Sequence, residues 1–266
     1  MAESGWLTRS LEQKQPYAKG YTGAINPPAL KIAFLSVLDY AENQGDCILC
    51  LEYLFQGLLI RRNAHIINLA KPVNLPISRI ISLLQNHFDG IYHAEGASRL
   101  PVLALYAIYQ CLISENKRYE NKTLLSIESH TSADRRSGRI GDIEITDATN
   151  KPFEAVEVKH GISITAQLVE DAYEKFSTTQ VQRYYLLSTA DIADKDRKAV
   201  NQAIELIKNI HGCYVIANGL VATLTYYMRL LTDPSQFIEK YVNLVEVDGA
   251  LKFEHKKRWN ELVASL

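Results

Sequence analysis

The stretch Gly141–Gly161, "GDIEITDATNKPFEAVEVKHG", reads as two short strands joined by a turn, and it carries charge where branched apolar residues would fold more easily. Its alternation fixes which side chains share a face. Asp142 and Glu144 point one way and Ile143 and Ile145 the other; Ala155, Glu157 and Lys159 share one face and Val156 and Val158 the opposite one. A hairpin turning symmetrically about Thr149 and Asn150 sets Asp142 across from Glu157 on that common face. Opposed residues have Cβ atoms about 4.5–5.5 Å apart, where two carboxylates repel by roughly 3 kcal/mol at an effective dielectric near 20. Lys159 offsets part of this, and two convergent carboxylates are also what Mg²⁺ takes from protein, with water and phosphate oxygens completing its octahedron.

Before the hairpin, "TLLSIESH" also has period two, so with "IGDIEIT" and "FEAVEVKHG" it predicts a three-strand antiparallel meander. Helix "ITAQLVEDAYEKFST", strand "VQRYYLLSTA", helix "ADKDRKAVNQAIELIKNI" and strand "CYVIANGL" follow, an order that implies crossovers and parallel pairing. "VATLTYYMRLLTDPSQFIEKYV" and "KKRWNELVASL" return to helix. Upstream, from about Pro27 to Asn121, apolar residues at three and four spacing predict a helical layer, with Pro and Gly punctuating it. The expected fold is α/β: a mixed sheet, antiparallel meander plus parallel crossover strands, with helices on both faces. Residues 1–97 are expected to form a helical N-terminal region and 98–266 the sheet-bearing core with C-terminal helices.

The 266 residues, 47% hydrophobic and 22% charged, suffice for a real core and match an ordinary ordered globular protein more than a disordered one. A net charge of −1 argues against coating nucleic acid by bulk electrostatics but leaves room for a local basic surface. The polar start "MAESGWLTRSLEQKQPY" lacks the pattern of a secretory signal, so a cytoplasmic location is expected, and the apolar runs are too short for a membrane span. Cys47, Cys50, Cys111 and Cys213 lie among apolar residues and are expected to be reduced and packed as small hydrophobes. Cys47 and Cys50 form a C-x-x-C, but no second ligand pair follows at a spacing zinc would use. A nucleotide-binding enzyme is disfavoured by the lack of GxGxxG and GxxxxGK[ST] runs.

An acidic-x-Lys triplet by itself is weak, because Glu12 with Lys14, Glu115 with Lys117, Glu120 with Lys122, Asp196 with Lys198 and Glu254 with Lys256 also fit. Glu157 with Lys159 differs in context: a branched apolar residue separates the pair, a strand pattern holds it, and a hairpin partner brings Asp142. With that context, "GDIEI", fifteen residues to Glu157 and then "EVK" resemble the PD-(D/E)xK nuclease superfamily. "SHTSADRRSGRIGDIEI" and "FEAVEVKHGISIT" resemble stretches of its type II restriction endonuclease branch, over roughly Arg99 to Leu220. Gly141 stands where the motif has proline.

The resemblance implies a restriction-endonuclease-like core that hydrolyses phosphodiesters of double-stranded DNA with Mg²⁺. Asp142 and Glu157 would ligate the ion, with the Val158 carbonyl as a third candidate, and Lys159 would position or help deprotonate the attacking water. A restriction enzyme of this kind implies a homodimer on a palindromic site and a cognate DNA methyltransferase acting on the same site. A repair or recombination nuclease of the same fold, and a non-catalytic DNA-binding module, are the alternatives. Glu144 is a candidate additional acid, with Glu128 and Glu115 weaker ones; the bland reading of Glu144 is a solvated strand residue. His160, opposite Lys159 by alternation, suits a structural or phosphate-contacting role. The loop before Asp142 places His130, Arg135, Arg136, Ser137 and Arg139 as candidate DNA contacts, and "HKKRW", His255–Trp259, is a second basic segment.

Overall fold

The structure, a computed structural model, describes residues 15–64, 67–127 and 138–266. The chain divides into two compact units, Met1–Ile66 and Ile67–Leu266. The sequence-based boundary at 97/98 falls between two helices that both belong to the second unit.

In the first unit, α1 (Pro28–Asp39) runs through a π-helical turn, Tyr40–Gln44, towards α2 (Cys47–Ala64). Proline at the first position starts α1, and the Asp46 carboxylate accepts the Ile48 N–H at 2.7 Å at the start of α2. The α2 sequence is apolar round its whole circumference, so a unit this small leaves Ile48, Leu49, Tyr53, Phe55 and Ile60 exposed. The expectation for the cysteines is corrected here: Cys47 is exposed and Cys50 half-buried, while Cys111 and Cys213 are buried as expected. All four are free thiols.

The second unit is built on a five-stranded sheet of β1 (Thr123–Leu124), β2 (Ile143–Thr146), β3 (Pro152–Lys159), β4 (Arg183–Ser188) and β5 (Tyr214–Gly219), adjacent in chain order. The pairs β1–β2 and β2–β3 are antiparallel, and β3–β4 and β4–β5 parallel. A mixed α/β architecture is therefore present, with the predicted change from meander to crossover. Among the described residues the first strand is shorter than "TLLSIESH" suggests, registering at Thr123 and Leu124 with one further bond from the Leu125 N–H to the Glu144 carbonyl at 2.9 Å, and residues 128–137 lie outside the described residues.

Alternation along the strands feeds two cores. Ile143, Ile145, Val156, Val158, Tyr185 and Leu187 pack with α3 (Ile77–Phe88), α4 (Arg99–Glu115), α7 (Leu220–Met228), α8 (Pro234–Val247) and α9 (Phe253–Ala264). On the other face Ala155, Tyr184, Leu186 and Val215 pack with α5 (Ala166–Phe176) and α6 (Asp194–His211). Helix α4 is apolar all round and correspondingly buried on nearly every side. The α5 stripe is Val169, Ala172 and Phe176, a spacing of three and four that sets one face on the sheet. Helix α5 starts at Thr165, whose hydroxyl accepts the Leu168 N–H, and α6 ends at Gly212, whose φ of 85° suits a residue without a Cβ. No helix among the described residues is long and apolar enough to cross a membrane.

Candidate active site

Asp142 is set by the turn that enters β2. Glu144 is buried, and its carboxylate accepts the N–H groups of Ile140 and Gly141, the latter at 3.3 Å. The Tyr184 hydroxyl, reaching from β4 past β3, donates to the Ile140 carbonyl at 2.8 Å, so the turn is fastened on both sides. A Cβ on Gly141 would lie 2.8 Å from the Val156 carbonyl oxygen, closer than side-chain carbons come to anything. That backbone contact accounts for glycine at this position, since proline and alanine both carry the atom that would collide.

The ladder pairs Ile143 with Val156 and Glu144 with Ala155, so one further residue sets Asp142 beside Glu157, in the register the symmetric hairpin predicts. A bulge between Ile145 and Thr146 shifts the pairing only towards the turn. The turn itself is held by the Asp147 carboxylate, which accepts from the Thr149 and Lys151 N–H groups, and by Asn150 at φ 60°. Asp142 Oδ2 accepts the Val158 N–H at 2.8 Å, which ties the carboxylate to the backbone next to Glu157. Burial pushes the Asp142 carboxyl up to about 6, and the Glu157 charge adds to that rise; the Val158 N–H, Lys175 and Lys159 oppose it.

Glu157 faces the α5 side of the sheet and is 6% exposed in its side chain, against 27% for Lys159 and 30% for Lys175, so two ammonium heads reach from solvent to a buried carboxylate. Lys159 Nζ meets Glu157 Oε1 at 2.7 Å. Lys175, on the last turn of α5, meets Oε1 at 2.9 Å and Oε2 at 3.0 Å. The repulsion read from the sequence is thus met by two positive charges rather than one. With both carboxylates ionised, the four groups sum to zero, which lets a buried acid pair persist without an added ion.

The donor set also suits a divalent cation. Among the described residues no group of three or more His, Cys, Asp or Glu side chains converges to hold a metal. The carboxylates of Asp142 and Glu157 are nonetheless hard oxygen donors of the kind and number that Mg²⁺ takes when water and phosphate supply the remainder. Strand geometry turns the Val158 carbonyl to the same edge as its N–H, the edge at which Asp142 binds.

Glu144 is a buried residue that shapes the Asp142 turn, which corrects its reading as a solvated strand residue. His160 Nδ1 lies 3.0 Å from the Thr189 hydroxyl, a structural contact. Glu115 accepts the Thr232 N–H at 2.7 Å, between α7 and α8. Arg139 donates to the Ser126 carbonyl at 3.0 Å. Glu128, His130, Arg135, Arg136 and Ser137 lie outside the described residues. In "HKKRW", His255 and Trp259 are buried in the core, Lys256 binds the Glu246 carbonyl and Lys257 and Arg258 flank Glu261, so the segment is one amphipathic helix face more than a basic patch. Sequence reasoning missed Lys175. Its one signal is its position beside the buried α5 stripe, three residues after Ala172.

The chain matches no protein-family model and no curated protein.

Proposed function

We propose that the chain is a Mg²⁺-dependent endonuclease of the PD-(D/E)xK kind, with a restriction-endonuclease-like core, cutting double-stranded DNA as a sequence-specific type II restriction enzyme. The observation that carries this reading is the β2–β3 register that sets Asp142, tied to the Val158 N–H at 2.8 Å, beside Glu157, which Lys159 meets at 2.7 Å. The reading includes a homodimer matched to a palindromic site, a cognate DNA methyltransferase and a cytoplasmic location.

Asp142 and Glu157 would hold the ion, with the Val158 carbonyl as a third oxygen. When bound, Mg²⁺ supplies Lewis-acid charge that polarises a phosphate oxygen and makes nearby water more acidic. The Val158 N–H fixes one Asp142 oxygen and so orients the other. The Lys159 ammonium, anchored on Glu157, holds the attacking water and stabilises negative charge that grows on the phosphoryl oxygens during in-line displacement.

A second reading is favoured by one observation: Glu157 already has two ammonium partners, which suits a nucleic-acid-binding module whose carboxylates are structural. Plasmid incubated with the purified protein and Mg²⁺, beside EDTA and Lys159→Ala controls, separates the two. Discrete bands that vanish with EDTA and with Lys159→Ala are expected. Intact plasmid in every lane, with folding confirmed by circular dichroism, would overturn the nuclease reading.

A further inference from the structure

Lys175 spans both oxygens of Glu157, at 2.9 and 3.0 Å, whereas Lys159 meets Oε1 from the same strand. Any cation that takes Glu157 must therefore contend with Lys175, which covers both carboxylate oxygens, as well as with Lys159. The backbone beneath Lys175 is fixed, because Val169, Ala172 and Phe176 bury the helix face against the sheet. Its ammonium sits at the end of a flexible four-carbon stem and is partly exposed, so the head can move while the helix stays.

We propose that Lys175 is a displaceable counter-cation: it occupies Glu157 in the metal-free protein, yields that carboxylate to a divalent cation, and then pairs with a phosphate of bound DNA. This rests on the metal-dependent nuclease reading. Charge gives the reason. Two ionised carboxylates and two ammonium groups leave the site neutral, and a divalent cation makes it doubly positive, which repels an ammonium held at Glu157 and attracts a polyanion. Metal and DNA then favour each other through one movable charge, and the coupling is reciprocal. Lys175 is a positioning residue here, acting on the carboxylate and on the phosphate rather than on the bond that breaks.

The test is calorimetric titration of Mg²⁺ into the full-length protein without DNA, for wild type, Lys175→Gln and Lys175→Arg. Glutamine keeps a hydrogen-bond donor for Glu157 and removes the charge; arginine keeps the charge. Lys175→Gln is expected to bind Mg²⁺ roughly tenfold more tightly than wild type, because a competing positive charge is gone. Lys175→Arg is expected to stay close to wild type. DNA retention in Mg²⁺, measured on a Lys159→Ala background, is expected to weaken on adding Lys175→Gln. Lys175→Gln that is folded and binds Mg²⁺ no more tightly than wild type overturns the proposal while leaving the nuclease reading intact. Wild type that takes up no Mg²⁺ removes the metal-dependent reading and this inference with it. Thermal melts in EDTA check folding, and Lys175→Met serves as the second neutral variant if glutamine destabilises the helix.

Discussion

Glu154 and Glu157 stand three residues apart on β3 and so face opposite sides of the sheet: Glu154 enters the core beneath α4, while Glu157 faces α5 and the candidate site. Both are buried, and each is satisfied by a different set of partners. Glu154 accepts from the Tyr109 hydroxyl at 2.6 Å, the Tyr119 hydroxyl at 3.2 Å and the Arg118 guanidinium. Glu157 has the two lysines.

The Glu154 set is structural, and its loss is expected to reduce stability. Glu154→Leu strands the Arg118 charge and two tyrosine hydroxyls, so unfolding free energy in urea is expected to drop by about 3–5 kcal/mol. Glu154→Gln, which keeps an acceptor, is expected to cost less. Mg²⁺ affinity of the folded Glu154→Gln protein should match wild type, because the side chain lies on the far face of the sheet.

Gly141→Ala is expected to disturb the site more than a methyl group ordinarily would. The added carbon meets the Val156 backbone at 2.8 Å, and a backbone atom cannot swing aside as the end of a side chain can. The Asp142 turn must shift instead. Overpacking of this kind costs on the order of 1–3 kcal/mol. Thermal melts should show the loss, and Mg²⁺ affinity should fall with it because Asp142 moves away from Glu157.

Asp142→Asn is expected to stabilise the metal-free protein at neutral pH. The folded carboxyl titrates at about 6 against an ordinary 3.8, so the native state holds its proton more tightly than the unfolded chain does. The stability that proton contributes is full below the ordinary value and is lost as pH rises through about 6. Asparagine removes the titration and keeps an acceptor for the Val158 N–H. Melts in EDTA should therefore show the variant above wild type at neutral pH and level with it in acid. Adding Mg²⁺ should raise wild type and leave Asp142→Asn unmoved.

His87 is expected to work in the opposite sense. Its Nε2 lies 2.9 Å from the His255 carbonyl, which can only accept, so Nε2 carries the proton and Nδ1 accepts from the Tyr241 hydroxyl at 2.8 Å. Burial holds this imidazole down to about 4 from 6.5. A base with a depressed folded value contributes stability that is present above 6.5 and is lost as pH falls towards about 4. Over that range wild type is expected to lose stability relative to His87→Gln, which can keep both hydrogen bonds without taking a proton. Urea unfolding at several pH values would check the slope, and parallel curves would count against it.

Much of the second unit was legible because its signals are local. The alternation in "GDIEI" and "EAVEV" separated Ile143, Val156 and Val158 from Asp142 and Glu157, and the cores form on those sides. The short first strand was not legible, since branched residues such as those of "TLLSIESH" mark strand tendency but not where a partner ends. The reading of Glu144 as solvated missed that a turn with unpaired N–H groups would bury its carboxylate. The burial expected of Cys47 failed for the opposite reason: an apolar neighbourhood in sequence does not supply a helix to cover it.

The order of helices and strands, and the sharing of a face by Asp142, Glu157 and Lys159, were already set in the residue order, because periods of two and of 3.6 residues are properties of a single chain segment. The meeting of Glu157 with a second ammonium came instead from the packing of separate segments. Lys175 reaches it because Val169, Ala172 and Phe176 seat α5 on the sheet at one rotation and one height, and that docking depends on how side chains from separate segments fill the space between helix and strand.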